Sequence, residues 1–279
     1  MGNIKIYAFA DEASANIDKQ IEVMLRNELS GLEMRNVDGT NVSDITIEKA
    51  KEVRKKMDDN GLITWSIGSP IGKIGINDEF EPHLDKFKHT LEVADVLGAN
   101  NIRLFSFYIP DGEQAAQYKN KVIDRLGQFV ELAATTDVRL CHENEKGIYG
   151  DVAERCADIH RELPLMKAIF DPANFVQCDV DTLKAWEILK EYTAYMHIKD
   201  AAEDGFVVPA GFGIGNVKNI VADFIARGGR DFTIEPHLTV FDGLRDLEVE
   251  GETSMIADFR YENSDVAFDA ACKAFKEII

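Results

Sequence analysis

The sequence predicts a (β/α)₈ TIM barrel, one α/β domain spanning residues 1–279, and three observations carry that reading. Short apolar runs alternate with helix-spaced apolar stripes eight times along the chain, the pattern of a parallel sheet with crossover helices. A length of 279 residues suits one such barrel. Four of the runs end on Glu143, Asp171, His197 and Glu235, and each gap between these residues holds one helix with its loops. A doubly wound open sheet is the structural rival. Eight units and four polar strand ends favour closure, which gathers all four side chains on the C-terminal rim.

Taken in order, the first strand is Ile4 to Phe9, and Ile17, Ile21, Met24 and Leu25 then repeat at helical spacing. Leu32 to Arg35 is a second, weaker strand. Ser43 or Asp44 suits as the cap of a helix carrying Ala50, Val53 and Met57, which stops at Asn60-Gly61. Leu62 to Ile67 is the third strand, followed by a helix with Leu84, Phe87, Leu91 and Ala94 that ends at Gly98. Asn101 to Tyr108 is the fourth, and Val122, Leu126, Phe129 and Val130 mark its helix. The fifth strand ends at Glu143 and leads to Val152, Cys156 and Ile159; the sixth ends at Asp171 and leads to Leu183, Trp186 and Leu189. The seventh ends at His197, before a glycine-rich loop from Pro209 to Gly215 and a stripe of Val217, Ile220, Val221 and Phe224. The eighth ends at Glu235. A polar segment, 239–263, precedes a last helix with Val266, Ala270 and Phe275.

Composition narrows the function. At 45% hydrophobic and 29% charged the chain is an ordinary globular protein. With 31 basic against 50 acidic residues its net charge is −19, a field that repels nucleic acid. The four Cys make no CxxC pair, which points to a reducing compartment; with no leader ahead of Ile4, the expectation is a cytoplasmic protein. No apolar run approaches the ~18 residues of a membrane span.

Glu, Asp, His and Glu form a hard-to-borderline ligand set for one divalent metal, Mn²⁺ first, with Mg²⁺, Co²⁺ and Zn²⁺ also suited. The plainer reading of each residue alone is a strand-end polar group bonded to its loop. Asn144, Lys199, Asp200 and His237 follow the four by one to three positions, so they are placed to support them. Asp200 is a candidate to take the second N–H of His197, and Lys199 to hold a substrate oxygen or pair with an acid. Arg35, Ser69, Lys73, Ser106 and Tyr108 are candidate lining residues. His142 points to the opposite strand face from Glu143, and His83, His89 and His160 read as surface or satisfied partners. The loop Gly211-Phe212-Gly213-Ile214-Gly215 invites a phosphate-cradle reading, but it lacks GxGxxG spacing. A tight loop over the barrel mouth is the better expectation.

The chain resembles the xylose-isomerase-like TIM-barrel superfamily of sugar isomerases and epimerases. The likeness rests on Ser69-Pro70-Ile71-Gly72-Lys73, Glu143-Asn144, Asp171-Pro172-Ala173-Asn174, His197-Ile198-Lys199-Asp200, the Pro209-to-Gly213 loop and Glu235-Pro236-His237. It implies that Glu143, Asp171, His197 and Glu235 are metal ligands. It also implies that Glu143 and Glu235 are the acid/base pair of a metal-held enediolate mechanism on a small sugar, polyol or keto-sugar. Lys73, Asn174, Lys199, His237, Ser69 and Tyr108 are then the expected substrate contacts. The ketose 3-epimerase branch has His at the position of Asn174 and Arg at that of Glu203, and the His-x-Lys-Asp form is nearer the inosose dehydratases. Alternatives are therefore a dehydratase on the same residues and a barrel that binds carbohydrate without turnover. Endonuclease IV shares the fold but needs a His-rich trinuclear zinc site; six His and a charge of −19 argue against it. Phe241, Phe259 and Tyr261, set in the polar 239–263 segment, suggest a flap over the mouth or the contact surface of a homo-oligomer.

Overall fold

The computed structural model describes residues 3–241 and 261–279. Eight parallel strands close into a barrel: β1 (Lys5–Ala8), β2 (Gly31–Met34), β3 (Ile63–Ile67), β4 (Asn101–Leu104), β5 (Arg139–Glu143), β6 (Lys167–Phe170), β7 (Thr193–Ile198) and β8 (Asp231–Ile234). β1 pairs with both β2 and β8, so the sheet has no edge. Eight helices follow the strands: α1 (Ile17–Arg26), α2 (Ile47–Asp59), α3 (Glu81–Leu97), α4 (Lys119–Ala133), α5 (Ala153–Glu162), α6 (Pro172–Gln177), α7 (Thr182–Leu189) and α8 (Val217–Ala226). α9 (Ser264–Lys276) completes the ring against β8, its Phe275 packing on Phe232 with ring centroids 5.2 Å apart.

Each helix has a local cause and a buried stripe. Asn16 caps α1 and Asp181 caps α7 through backbone N–H groups of the first turn. Thr46, not Ser43 or Asp44, caps α2, because Val42–Asp44 is spent in a 3₁₀ turn that Asn41 caps. α3 stops on Gly98 at φ 70°, the left-handed end that glycine takes without strain. The stripes of Val53, Met57, Phe87, Val122, Phe129, Ile159, Val221 and Phe224 are buried against the barrel wall. Leu25, Leu183 and Val266 lie at the margins of their stripes and are exposed, with Val23, Ala185 and Ala267 buried instead.

β4 stops four residues short of the run that ends at Tyr108. The reason is a competing partner. The chain after Leu104 turns onto the β3–α3 loop, with Phe105 N donating to Ile71 O and Phe107 N to Gly72 O. Phe107 is held at φ 67°, where a bulky residue is strained. Gly72 is required by closeness, since a Cβ there would fall 2.0 Å from Phe105 O.

Inside the barrel, Tyr7 stacks on Trp65 at 4.5 Å and Trp65 meets Tyr195 edge-on at 5.9 Å, with Cys141 and Ile169 in the same layer. This apolar plug closes the lower barrel, and the layer above it is polar. Among the described residues no helix is long and apolar enough to cross a membrane, and the four Cys are free.

Candidate active site

The four strand ends converge as one cluster. Glu143 closes β5, Asp171 follows β6, His197 is the penultimate residue of β7 and Glu235 follows β8. One ligand-competent atom from each lies within 4.8 Å of the other three, and all four residues are buried. Three carboxylates and an imidazole at that spacing are a donor set for one hard-to-borderline divalent cation.

His197 is oriented from both sides. Its Nε2 lies 3.1 Å from Glu33 Oε2, and its Nδ1 lies 2.8 Å from Glu143 Oε1 and 3.6 Å from Glu235 Oε2. Glu33 is itself fixed by donation from Tyr195 Oη at 2.9 Å and Ser66 Oγ at 3.1 Å. With Nε2 turned to a carboxylate, Nδ1 is the nitrogen left to face the cluster, the arrangement that sets the tautomer of a metal-ligating His. The partner of His197 is thus Glu33, not Asp200.

Asp171 divides its oxygens. Oδ1 caps α6 by accepting from Asn174 N at 2.9 Å. Oδ2 is fully buried and accepts no hydrogen bond; Lys199 Nζ is 3.1 Å away, at ion-pair distance but outside hydrogen-bonding geometry. Asn144 pins the Asp171 backbone, donating to its O at 3.0 Å and accepting from its N at 2.9 Å. Asn174 Nδ2 donates to Asn144 O at 2.9 Å, with a longer contact to Glu143 Oε1 at 3.4 Å.

Three buried cations surround the acids. Arg103 NH1 donates to Glu143 Oε2 at 3.1 Å and lies 4.0 Å from Glu235 Oε1. Arg35 binds Asp11 through Nε at 2.8 Å, Glu12 at 3.1 Å and Glu235 at 3.4 Å. Lys199 Nζ donates to Glu235 Oε2 at 3.0 Å. The cations also alternate with rings: Arg35 and Arg103 lie over the Phe9 ring at 4.6 and 4.8 Å, and Arg103 and Lys73 over Phe105 at 5.0 and 4.4 Å. Cation–π contact in a desolvated wall fixes these side chains as charged, rigid donors. A second acidic group, Glu12, Glu235 and His237, shares Glu235 with the first. The Arg35 guanidinium already supplies its positive charge.

The electrostatics follow. Burial raises the Glu143 carboxyl, but His197 and Arg103 outweigh it and hold the group below its usual range. Burial acts likewise on Glu235, and Lys199, His237, His197 and Arg103 hold it well below. Asp171 goes the other way, to about 7, because burial is joined by Glu235 and Glu143 against the pull of Lys199. His197 is held up to about 10, with burial opposing and Glu143 and Glu33 prevailing. A raised histidine stabilises the fold fully below its unfolded value of about 6.5, and that contribution is lost as pH rises through about 10. Urea unfolding of chelator-treated protein is therefore expected to show His197-dependent stability falling between those limits. A His197→Gln variant with the same slope would contradict it.

The other candidates are placed as follows. Lys73 Nζ lies 3.1 Å from Glu145 Oε2 near the mouth. Ser69 is turned inward, its Oγ donating to Arg103 O and accepting from Ile71 N. Tyr108 pairs through its backbone with Gly75 and Ile148 on the loops above. His237 reaches the cluster, with Nδ1 3.0 Å from Glu12 Oε1 and 3.7 Å from Glu235 Oε1, at a left-handed φ of 43°. Ser106 is not brought to the site; its Oγ meets His142 Nε2 at 2.9 Å on the far side of β5. His83 accepts from Gly72 N, His89 reaches Ile45 O and His160 reaches Met166 O. Of the 239–263 segment, residues 242–260 lie outside the described residues; Phe241 packs at 5.0 Å on Arg35 and Tyr261 against the core. Asp11, Glu12, Glu33 and Arg103 were not among the sequence candidates.

The glycine-rich loop wraps an internal anion. Asp200 accepts from the N–H groups of Ala201, Gly211, Gly213 and Gly215 at 2.9 to 3.0 Å. A Cβ on Gly213 would fall 2.2 Å from Ala201 O, and one on Gly215 2.6 Å from Asp200 Oδ1. The nest a phosphate would use is thus filled by a carboxylate from the end of β7.

A profile of the family described as xylose isomerase-like TIM barrel matches residues 22–244. Among solved structures the chain is similar to the probable 3-DHS dehydratase AsbF from Bacillus anthracis, at 15% identity over 98% of this chain and 99% of that one, with a TM-score of 0.75. It is similar to the IOLI protein with a bound zinc atom, at 14% identity over 99% and 98%, with a TM-score of 0.75. It is also similar to the 3-keto-D-glucoside 4-epimerase YcjR from E. coli, at 14% identity over 99% of each chain, with a TM-score of 0.70. Likeness at these identities is one of fold. No curated protein matches the sequence.

Proposed function

This chain belongs to the xylose isomerase-like TIM barrel family, and we propose that it is a divalent-metal-dependent isomerase or epimerase of a small sugar, polyol or keto-sugar. The observation that carries the reading is the pair Glu143 and Glu235. Both are buried, Glu143 is held ionised by His197 and Arg103 and Glu235 first by Lys199, and both belong to the cluster that Asp171 and His197 complete. Asp171 Oδ2 without a hydrogen bond and His197 with Nε2 taken by Glu33 fit a metal at that point, held by all four residues. Mn²⁺ is our first choice; the zinc of the IOLI structure belongs to that protein.

When bound, the ion supplies Lewis acidity to a carbonyl and acidifies the C–H beside it. The rest is the chain's own chemistry. One glutamate removes the proton from that carbon and the other returns one from the opposite face. Carboxylates this strongly paired are weak bases, so the substrate must be acidified for the pair to work. Lys199 and His237 are N–H donors beside Glu235 and serve substrate oxygens. Loss of a hydroxyl from the neighbouring carbon, with one of those donors as acid, is the dehydratase reading of the same residues.

The test is a panel of ketoses, aldoses and inososes with Mn²⁺ in D₂O, followed by proton NMR. Deuterium entering beside the carbonyl with skeleton and oxygens intact supports the isomerase or epimerase. Loss of water selects the dehydratase. Binding of a sugar without exchange would leave a non-catalytic carbohydrate barrel and overturn the proposal.

A further inference from the structure

Lys199 stands two residues beyond His197, and its ammonium sits between two of the four candidate ligands, 3.1 Å from Asp171 Oδ2 and 3.0 Å from Glu235 Oε2. The two arginines of the site touch candidate ligands as well, but each has further anchors. Arg35 is fixed by Asp11, Glu12 and the rings of Phe9 and Phe241, and Arg103 by Gly68 O and the rings of Phe9 and Phe105. His237 leans on Glu12. Among the described residues, Lys199 and Arg103 both form ion pairs only with candidate ligands, but Arg103 is also anchored by Gly68 O and two rings, whereas the contacts of the Lys199 ammonium are those to Asp171 and Glu235. The four-carbon stem of Lys199 is a flexible arm beside two stacked guanidinium groups.

We propose that Lys199 is a resident cation that competes with the divalent metal. With no metal bound, it holds Asp171 and Glu235 together and offsets part of the repulsion among three buried carboxylates. A divalent ion that takes all four ligands meets a like charge at two of them and drives the ammonium outward. The displaced Lys199 then stands at the edge of the cluster, where a substrate oxygen would lie. Lys199 keeps its proton throughout, so the exchange is one of position rather than titration. The inference rests on the metal reading above.

The experiment is Mn²⁺ titration of chelator-treated wild type, Lys199→Met and Lys199→Arg, read by the electron paramagnetic resonance signal of free Mn²⁺ and by the melting temperature with and without the ion. Removing a charge this close to a cation site is expected to lower the Kd of Lys199→Met by about tenfold or more. Lys199→Arg keeps the charge and is expected to stay near wild type. Metal-free Lys199→Met should melt below metal-free wild type, and Mn²⁺ should restore it by the larger shift. If Lys199→Met does not fold without metal, it is purified with Mn²⁺ and the ion withdrawn by graded chelators, which must then be stronger than for wild type. Equal or weaker Mn²⁺ binding by Lys199→Met overturns this inference and leaves the metal reading standing. Absence of binding in both proteins removes the two together.

Discussion

Replacing Glu143 with Gln is expected to abolish interconversion of the substrate while leaving hydrogen exchange on one of its two forms. The reasoning is positional. Each glutamate serves one face of the reacting carbon, so the form whose C–H faces Glu235 still loses its proton to an intact base. The proton cannot then arrive from the other side. Glu235→Gln should show the mirror image, with exchange confined to the other form. General acid–base help is worth about 10²–10⁴ in rate, so interconversion should fall by that much in either variant. Both residues are also candidate metal ligands, and an amide oxygen is a weaker donor. Turnover is therefore compared at saturating Mn²⁺, with metal content measured in the same samples. In Glu143→Gln the new amide can keep its oxygen toward Arg103, where Glu143 Oε2 now accepts at 3.1 Å, at the cost of an NH₂ group facing His197 Nδ1. A loss of interconversion below about threefold at full metal loading, well outside the range for acid–base catalysis, would remove Glu143 as a proton-transfer group.

The alternation of strand and helix was legible because hydrophobic period is a local property. So was the rim: Glu143, Asp171, His197 and Glu235 each follow a short, largely apolar run that reads as a buried strand. What the sequence hid is what lies across the barrel. Glu33 sits inside Leu32-Glu33-Met34 and Arg103 inside Ile102-Arg103-Leu104. A charge flanked by apolar residues in a strand alternates inward, and that was the available signal. Reading them as site residues, however, needs to know that β2 and β4 aim at the same layer as β7. Asp11 and Glu12 were masked differently, since they stand beyond β1 in a 3₁₀ turn and reach the site through Arg35. The short α6 was invisible because its six residues cannot display a period; its cap is Asp171, the residue already singled out for metal binding. The structural reading of Asp171 holds for Oδ1, which caps α6, and Oδ2 is the oxygen left for the proposed metal.

The largest loss of stability is expected from Asp200→Ala. This side chain accepts four backbone N–H bonds, and those to Ala201 and Gly215 are fully buried. Its removal leaves two buried donors and two half-buried ones, from Gly211 and Gly213, with nothing to bind. An unmet buried donor costs about 1–3 kcal/mol, and water can reach the outer pair, so the sum is about 3–6 kcal/mol. Asp200→Asn should fall between, because one amide oxygen can accept from part of the set while its NH₂ faces donors. Gly213→Ala attacks the same nest from outside, and the 2.2 Å approach of its Cβ to Ala201 O forces the backbone apart. Asp200 adjoins Lys199 and lies three residues from His197, so these changes should also loosen the end of β7 and weaken Mn²⁺ binding. Inorganic phosphate has the emptied nest to occupy in Asp200→Ala and should return part of the lost stability, with no such gain in wild type. Urea midpoints for the three variants, with and without phosphate, decide the matter. A loss under about 1 kcal/mol in Asp200→Ala, no more than a single ordinary hydrogen bond, would show that the glycine loop holds its shape without the carboxylate it encloses.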